Sequence, residues 1–262
     1  MALIAKPGMG KTTLLFHLLE HLRKSARTAF LFQRYSDSRD LLRSLMFDLG
    51  INGKDEDLGR MYGQFNEALV REARAGRRVV VVIDEAQNLE DSVFETVRLL
   101  SNFEIPGMKL MQILLAGQPQ QADKLASRSL VQLRQRVSIL SLKQFNSKDT
   151  ARYVSHRLKV AGYRSKPLFA ADTLEIIHSR SDGIPRNINN LCFHALTLGF
   201  AIGQKTIDAS ILNEVLEDLD IETLVSNTPT DGRCGEQKSS VRDYGPWSAS
   251  KWIRGNTHEQ EY

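Results

Sequence analysis

Seven residues near the start of the chain have the types and the spacing that bind phosphate groups. They are Pro7, Gly8, Met9, Gly10, Lys11, Thr12 and Thr13. A glycine-rich turn that opens a helix presents backbone N–H groups to an anion, and the lysine adds a positive charge that reaches the outer phosphates. The hydroxyl that follows the lysine, here Thr12, is suited to bind Mg²⁺. The stretch therefore predicts a loop that holds a nucleoside triphosphate together with Mg²⁺.

This loop matches the pattern G-x-x-x-x-G-K-[ST] at each fixed position except the first, where Ala5 replaces glycine. An alanine methyl costs little if its backbone φ is negative, but it blocks a conformation that needs a positive φ. Pro7 has no N–H to donate, so we expect the phosphate cradle to begin at Gly8. The alternative for this stretch alone is an ordinary turn between a strand and a helix.

Two carboxylates follow an apolar strand pattern farther along the chain. Residues 79–83 are an unbroken β-branched run, which suits a central strand buried on both sides, and Asp84 and Glu85 come directly after it. Ligands of open α/β sheets bind beyond the carboxyl ends of the strands. We therefore expect Asp84 to bind Mg²⁺ through its water shell and Glu85 to act as the general base that activates a water.

Three further residues are candidates for completing hydrolysis of the nucleotide. Gln118 follows the fourth predicted strand, where its amide is placed to orient the attacking water. Arg136 ends a helix before the fifth strand and is placed to project into a neighbouring subunit, with Arg134 as the spare candidate. Arg186 opens a helix of a second domain and is placed to reach the nucleotide when that domain closes. Arginines neutralise charge on the transferred phosphoryl group, although a surface or capping role is the alternative for each residue.

The elements that must position these residues alternate between strands and helices in the first part of the chain. Strand patterns occupy residues 2–5, 28–33, 78–84, 110–116 and 137–142. Helical patterns separate these strands, and such alternation predicts an α/β fold with a mostly parallel sheet flanked by helices.

The later part of the chain has a different pattern. Apolar residues recur at helical spacing in residues 149–161, 170–179, 185–202 and 209–219. This spacing predicts a small all-helical domain. The predicted organisation is a nucleotide-binding domain at residues 1–144, a helical lid domain at residues 145–224 and a disordered tail at residues 225–262.

Composition sets the remaining limits. The 262 residues carry a formal net charge of +4, a small surplus that permits phosphate contact without requiring it. Basic clusters at residues 23–27 and 71–78 lack interleaved aromatic side chains, so DNA stays an alternative that is not favoured. Two cysteines support neither a disulfide framework nor a thiolate metal site. No stretch approaches the roughly 20 apolar residues of a membrane span, and we expect a cytoplasmic location and no direct membrane span.

Five sequence blocks, in order, resemble the ExeA/GspA-like branch of the AAA+ ATPases, the ATPases of general secretion pathway component A. The blocks are A-K-P-G-M-G-K-T-T-L-L, V-V-V-V-I-D-E-A-Q-N-L, I-L-L-A-G-Q-P, L-R-Q-R-V and D-G-I-P-R-N-I-N-N-L-C. The resemblance covers about residues 2–219 and implies a P-loop NTPase (AAA+) fold with a helical lid, ATP and Mg²⁺ as cofactors, and a homo-oligomer. It places Gln118 at the sensor 1 position, Arg136 at the arginine finger and Arg186 at sensor 2.

The resemblance leads to three functional hypotheses. The first is an ATPase that remodels an oligomer or a protein partner in a role like that of secretion pathway component A. The second is a transposition-type ATPase that binds DNA and works with partners of a transposition system. The third is a scaffold that binds ATP without hydrolysing it. Family members usually carry a segment of several dozen residues before the first strand. We expect this segment to be missing here, and the third hypothesis follows from that expectation.

Overall fold

The computed structural model of the protein describes residues 1–51 and 57–226, with side chains described as far as residue 219. Its internal contacts divide the chain into two compact units. The first unit contains Met1–Pro7 and the described residues of Lys11–Leu142, and the second contains Gly8–Gly10 and the described residues from Lys143 onward. The predicted domain boundaries stay predictions. The predicted tail, apart from residues 225 and 226, lies outside the described residues.

The first unit is built on a parallel sheet. Its strands, in chain order, are β1 (Ala2–Ile4), β2 (Ala26–Leu31), β3 (Arg78–Ile83), β4 (Glu104–Ile105), β5 (Met108–Lys109), β6 (Met111–Gly117) and β7 (Ile139–Ser141). Its helices are α1 (Lys11–Leu22), α2 (Ser38–Asp48), α3 (Leu58–Arg74), α4 (Asp91–Leu100), α5 (Pro119–Leu125) and α6 (Val131–Arg134). Five strands pair in parallel in the order β2-β3-β6-β1-β7, so the predicted α/β fold is confirmed.

Strand β3 shows why the β-branched run is required. Val79 and Val81 pack into a core with apolar residues of α2, α3 and α4 on one face of the sheet. Val80 and Val82 belong to a second core, which includes Leu15 of α1 on the other face. Because successive side chains of a strand point to opposite faces, a strand buried on both sides needs an apolar residue at every position. Two apolar cores thus fix β3 and present its carboxyl end at the sheet edge.

The antiparallel hairpin of β4 and β5 is an element that the sequence analysis did not predict. Ile105 pairs with Met108 across a turn formed by Pro106 and Gly107. Gly107 has a φ of +79°, the left-handed conformation that glycine adopts without a steric penalty. Each strand has two residues, which is too short for an alternating hydrophobic pattern to be visible in the sequence.

The described residues of the second unit form four helices. They are α7 (Ser147–Val160), α8 (Ala171–Ser181), α9 (Pro185–Ala201) and α10 (Ala209–Ser226). Their facing apolar residues, including Ile177, Ile188 and Leu212, form a separate core. Pro185 occupies the first turn of α9, where the missing N–H of proline costs no helical hydrogen bond. Within residues 1–51 and 57–226, the helices fall short of the length and apolar character that crossing a membrane requires.

Candidate functional site

The turn between β1 and α1 has the backbone that a phosphate loop needs. Gly8 and Gly10 have φ values of +81° and +82°, a conformation that side chains with a Cβ rarely adopt. Positive φ among the described non-glycine residues is confined to Glu85 and Asp182, so Ala5 keeps a negative φ and its methyl causes no backbone strain. The N–H of Ala5 donates to the carbonyl of Gly117 at 3.0 Å, which fixes the start of the turn against β6. The replacement of glycine by alanine at position 5 therefore leaves the turn intact.

Thr12 and Asp84 meet at the carboxyl edge of the sheet. The Thr12 hydroxyl donates to Oδ2 of Asp84 at 2.7 Å. Asp84 is 4% exposed, and its Oδ1 accepts the backbone N–H of Glu85 at 2.9 Å. Two hard oxygen donors are thereby held at one point, which is the donor chemistry that Mg²⁺ prefers.

Lys11 and Glu85 form an ion pair beside this point. Lys11 Nζ lies 3.7 Å from Glu85 Oε1, and the two side chains are 6% and 40% exposed. Glu85 has a φ of 51°, and a non-glycine residue in this left-handed region carries conformational strain of about 1–3 kcal/mol. Such strain persists where the surrounding structure fixes the backbone, and here the buried strand β3 and the side chain of Asp84 do so.

The Glu85 carboxylate is held in its charged form. Burial opposes the charge and acts to raise the pKa, but hydrogen bonds from Gln87 and Gln118 and the charge of Lys11 together outweigh it. The pKa of Glu85 therefore lies below its ordinary value of 4.5. At neutral pH the residue is a carboxylate that is surrounded by donors.

Gln118 and Gln87 contact the same oxygen of Glu85. The Nε2 of Gln118 lies 3.2 Å from Glu85 Oε2, and the Nε2 of Gln87 lies 2.5 Å from it. The sequence analysis assigned a role to Gln118 but none to Gln87. The signal was available in the string Asp84-Glu85-Ala86-Gln87, in which a polar residue follows the carboxylates within one turn. The structure thus brings together Lys11, Thr12, Asp84, Glu85 and Gln118, and it adds Gln87.

Arg136 lies elsewhere in the first unit. It follows α6 and precedes β7, and its guanidinium contacts the side-chain oxygen of Asn102. Together with Met1 and Met111 it lines a cavity of about 380 Å³ at the amino ends of the strands. Arg134 donates to the carbonyl of Val137 at 3.4 Å. Since the phosphate loop follows the carboxyl end of β1, Arg136 is not near the phosphate loop of its own chain.

Arg186 is the second residue of α9 in the second unit. Its backbone N–H donates to the carbonyl of Gly8 at 3.2 Å, and Gly8 groups with this unit. A Cβ on Gly8 would lie 2.8 Å from the Cβ of Arg186. Glycine at position 8 is therefore required both by its positive φ and by this close approach.

Basic residues from two separate stretches meet at the amino ends of β2 and β3. Ala26 pairs with Arg78 in the register of these two strands. The exposed basic residues at this edge are Arg23, Lys24, Arg27, Arg71, Arg74, Arg77 and Arg78. Arg27 and Arg77 both donate to the buried carboxylate of Glu72, at 2.7 and 2.6 Å. The edge consequently combines an internal ion-pair cluster with an exposed basic surface.

Comparison with known proteins finds an AAA domain and a similar secretion-pathway protein. Residues 1–125 match the family described as AAA domain. The chain is 36% identical over 207 residues to general secretion pathway protein A of Aeromonas hydrophila. That match covers 78% of this chain but 38% of the relative, so the chain spans well under two thirds of the relative's length.

Several solved structures share the fold of this chain. The RuvB Holliday junction branch migration motor of Thermotoga maritima is 20% identical, with a TM-score of 0.52 over 84% of this chain and 62% of that chain. Cdc6p of Pyrobaculum aerophilum is 15% identical, with a TM-score of 0.56 over 79% and 57%. The ADP form of ORC2 of Aeropyrum pernix is 14% identical, with a TM-score of 0.58 over 82% and 61%. At these identities the likeness establishes the fold alone.

Proposed function

We propose that this chain, an ExeA/GspA-like protein with an AAA domain, binds ATP with Mg²⁺ and hydrolyses it. The hydrolysis would remodel its own oligomer or a protein partner. The observation that carries this proposal is the meeting of Thr12 with Asp84 and of Lys11 with Glu85 at one edge of the sheet. Within the first unit, these four residues combine a positive charge for the phosphates, a pair of oxygen donors for the metal and a candidate base. The full activity and the partners are proposals, because the chain covers 38% of its curated relative.

The turn before α1 is proposed to bind the phosphates. The backbone N–H groups from Gly8 to Thr13 lie at the start of a helix of 12 residues, where the helix dipole favours an anion. Lys11 is 7% exposed, so its charge is poorly screened by water and attracts the outer phosphates strongly. When ATP binds, Lys11 is expected to exchange its contact with Glu85 for those phosphates.

Thr12 and Asp84 are the residues proposed to hold Mg²⁺. Their oxygens lie 2.7 Å apart, and a hydroxyl with a carboxylate fits an ion that takes few protein ligands and keeps several waters. When bound, Mg²⁺ supplies neutralisation of the charge that develops on the phosphate oxygens.

Glu85 is proposed to accept the proton of the attacking water. The water oxygen forms a bond to the γ-phosphorus while the bond from that phosphorus to the oxygen of ADP breaks, which releases ADP and phosphate. Gln118, whose amide lies 3.2 Å from Glu85, is proposed to orient the water. A general base contributes about 10²–10⁴-fold to such a rate.

Arg136 is proposed to act on the nucleotide of a neighbouring copy in a homo-oligomer. It lies at the amino ends of the strands, whereas the phosphate loop of its own chain follows the carboxyl end of β1, and this separation supports a role between copies. An arginine supplied in this way contributes about 10³–10⁵-fold to turnover.

Arg186 is proposed to contact the phosphates from the second unit. A protein partner of a secretion system and a cytoplasmic location complete the proposal.

Phosphate release at increasing protein concentration tests this function. We expect activity to rise faster than linearly for the wild type and to be lost in Lys11→Ala, Glu85→Gln and Arg136→Ala. Binding of ATP should be lost in Lys11→Ala alone, and Arg134→Ala serves as the matched control for Arg136→Ala. Mixing Glu85→Gln with Arg136→Ala should restore part of the activity, since mixed oligomers contain some sites with both residues.

Each failure of this experiment has a separate meaning. If the wild type binds ATP through Lys11 but releases no phosphate at any concentration, the protein is an ATP-gated scaffold. If activity stays proportional to concentration and mixing restores nothing, the assignment of Arg136 to a neighbouring site is wrong. If ATP does not bind, the proposed function as a whole is wrong.

A transposition-type ATPase that binds DNA is the second candidate, and the basic edge at β2 and β3 favours it. Exposed cations from two stretches of the chain meet there, as phosphate-backbone binding requires. The hypothesis predicts ATP-dependent binding of duplex DNA that weakens steeply with salt. Replacement of Arg71 and Arg74 by alanine should weaken it, whereas the control that replaces Arg157 and Lys159 of α7 should not. Absence of binding at low salt with ATP would rule this candidate out.

A further inference from the structure

The side chain of Gln87 connects two groups of the candidate site that are distant in sequence. Gln87 lies in a short helical turn, Ala86–Asn88, directly after the Asp84-Glu85 pair. Its Nε2 lies 2.5 Å from Glu85 Oε2, and its Oε1 accepts the backbone N–H of Gln118 at 3.1 Å. The Nε2 of Gln118 also reaches Glu85 Oε2, at 3.2 Å. The three residues therefore form a closed ring of hydrogen bonds.

Gly117 supplies the space that this ring occupies. A Cβ at position 117 would lie 2.7 Å from the Oε1 of Gln87 and 2.1 Å from the Oε1 of Gln121. Both distances are shorter than the contacts that Cβ atoms make in proteins, and the atoms that such a Cβ would collide with are the side-chain amide oxygens of the two glutamines. Glycine at the end of β6 thus lets the Gln87 amide approach the backbone of the next residue.

We infer that Gln87 is a positioning residue, which fixes the rotamer of Glu85 and couples it to the end of β6 through Gln118. The inference rests on the proposed hydrolysis, in which Glu85 and Gln118 act on the same water. A base that rotates about its side-chain bonds spends little time aligned with the water, and a small misplacement of a reacting group costs about 10²-fold in rate. Gln87 and Gln118 each give the same oxygen a fixed donor, so the carboxylate has one orientation.

Glutamine is suited to this task by the chemistry of its amide. One group must donate to a carboxylate and accept from a backbone N–H at the same time, and an amide carries both functions side by side. A carboxylate at position 87 would accept from Gln118 but would repel Glu85. An alanine would leave both Glu85 Oε2 and the Gln118 N–H with one partner fewer.

Steady-state kinetics of two variants tests the positioning role. In Gln87→Ala and in the near-isosteric Gln87→Glu, we expect kcat to fall about tenfold to hundredfold while the KM for ATP stays within about twofold. The melting temperature should stay close to that of the wild type. Gln120→Ala, at an exposed position of α5, is the matched control and should keep the wild-type kcat. Wild-type kcat in both Gln87 variants, or full activity in Gln87→Glu alone, would overturn the inference.

Hydrogen exchange of the Gln118 amide, measured by NMR, tests the ring without turnover. The Gln118 N–H donates to Gln87 Oε1, so its exchange should be protected in the wild type and about tenfold faster in Gln87→Ala. Exchange of this amide that is fast in the wild type, or unchanged by Gln87→Ala, would overturn the inference whether or not ATP is hydrolysed. If the wild type hydrolyses no ATP but its Gln118 amide is protected, the proposed function is wrong, whereas the hydrogen-bonded ring is supported.

Discussion

The hydroxyl of Thr12 lies 2.7 Å from Oδ2 of Asp84, although 72 residues separate them in the chain. The two strands that precede these residues, β1 and β3, are not neighbours, because β6 lies between them in the sheet. Thr12 meets Asp84 across this strand because both follow the carboxyl ends of parallel strands. The contact gives the proposed metal pair its geometry.

Replacement of Thr12 tests whether this pair binds Mg²⁺. Thr12→Val keeps the shape of the side chain and removes the hydroxyl, so we expect affinity for ATP in the presence of Mg²⁺ to fall about tenfold, a change of about 1.4 kcal/mol. In EDTA, where the metal is absent, the affinities of variant and wild type should agree. Thr12→Ser keeps the hydroxyl and is the control, with affinity near that of the wild type. An equal loss in EDTA would show that Thr12 acts on the phosphates or the loop instead.

Much of the fold follows from local sequence patterns. The four valines that open residues 79–83 predicted a central strand, and alternate members of β3 do enter two different cores. The predicted parallel sheet with flanking helices is confirmed because strand and helix periodicities are properties of short segments. The glycine-rich turn was recognisable for the same reason, since positive φ at Gly8 and Gly10 constrains the residue type directly.

The contacts that organise the site were beyond local patterns. Gln87 and Gln118 are 31 residues apart, and their contact depends on the adjacent positions of β3 and β6, which a single sequence does not reveal. The role proposed for Arg136 requires a neighbouring copy, which local sequence patterns do not describe, since its own chain places Arg136 at the amino ends of the strands. The roles of the predicted site residues stay predictions until the variants are measured.

Gln121 is a buried amide whose replacement should stabilise the protein. It is 0% exposed, and neither its Nε2 nor its Oε1 has a hydrogen-bond partner among the described residues. Since a buried polar group without a partner costs about 1–3 kcal/mol, Gln121→Met should raise the free energy of unfolding by about 1 kcal/mol. Urea unfolding measures this change, and Gln120→Met on the exposed side of α5 should shift it by less than about 0.5 kcal/mol. A loss of stability in Gln121→Met would indicate that a buried water binds the amide.

Two glycines of the second unit separate backbone strain from steric collision. Gly183 and Gly203 have φ values of +62° and +71°. A Cβ on Gly183 would lie 2.1 Å from the carbonyl oxygen of Phe145, whereas a Cβ on Gly203 has nothing within 4 Å. We expect Gly203→Ala to lose about 1 kcal/mol of stability from the positive φ alone, and Gly183→Ala to lose several times more. Equal losses in thermal unfolding would mean that Phe145 moves aside at little cost.

Glu72 should make the stability of the first unit sensitive to acid. Hydrogen bonds from Arg77, and then from Arg27, outweigh the burial that acts to raise the pKa of Glu72, so this pKa lies below its ordinary value of 4.5. A carboxyl whose pKa is lower in the folded state stabilises the protein above the unfolded pKa, and this stabilisation is lost as pH falls through the folded pKa. At pH 7, Glu72→Gln should lower the free energy of unfolding by about 1 kcal/mol. The value is modest because the side chains of Arg27 and Arg77 stay 42% and 56% exposed.

The pH dependence of the difference between wild type and Glu72→Gln identifies the cause of this loss. Below its ordinary pKa of 4.5 the Glu72 carboxylate takes up a proton in the unfolded chain, and at lower pH, below its lowered pKa, it does so in the folded protein as well. The two proteins should therefore approach equal stability as the pH is lowered through this range. Glu104→Gln is the control: Glu104 pairs with Lys109 in the β4–β5 hairpin, but its side chain is 58% exposed, and water competes with the ion pair. Its replacement should change the melting temperature less than Glu72→Gln does. A difference between wild type and Glu72→Gln that stays constant from pH 7 to pH 3 would instead assign the loss to packing, because a packing defect does not titrate.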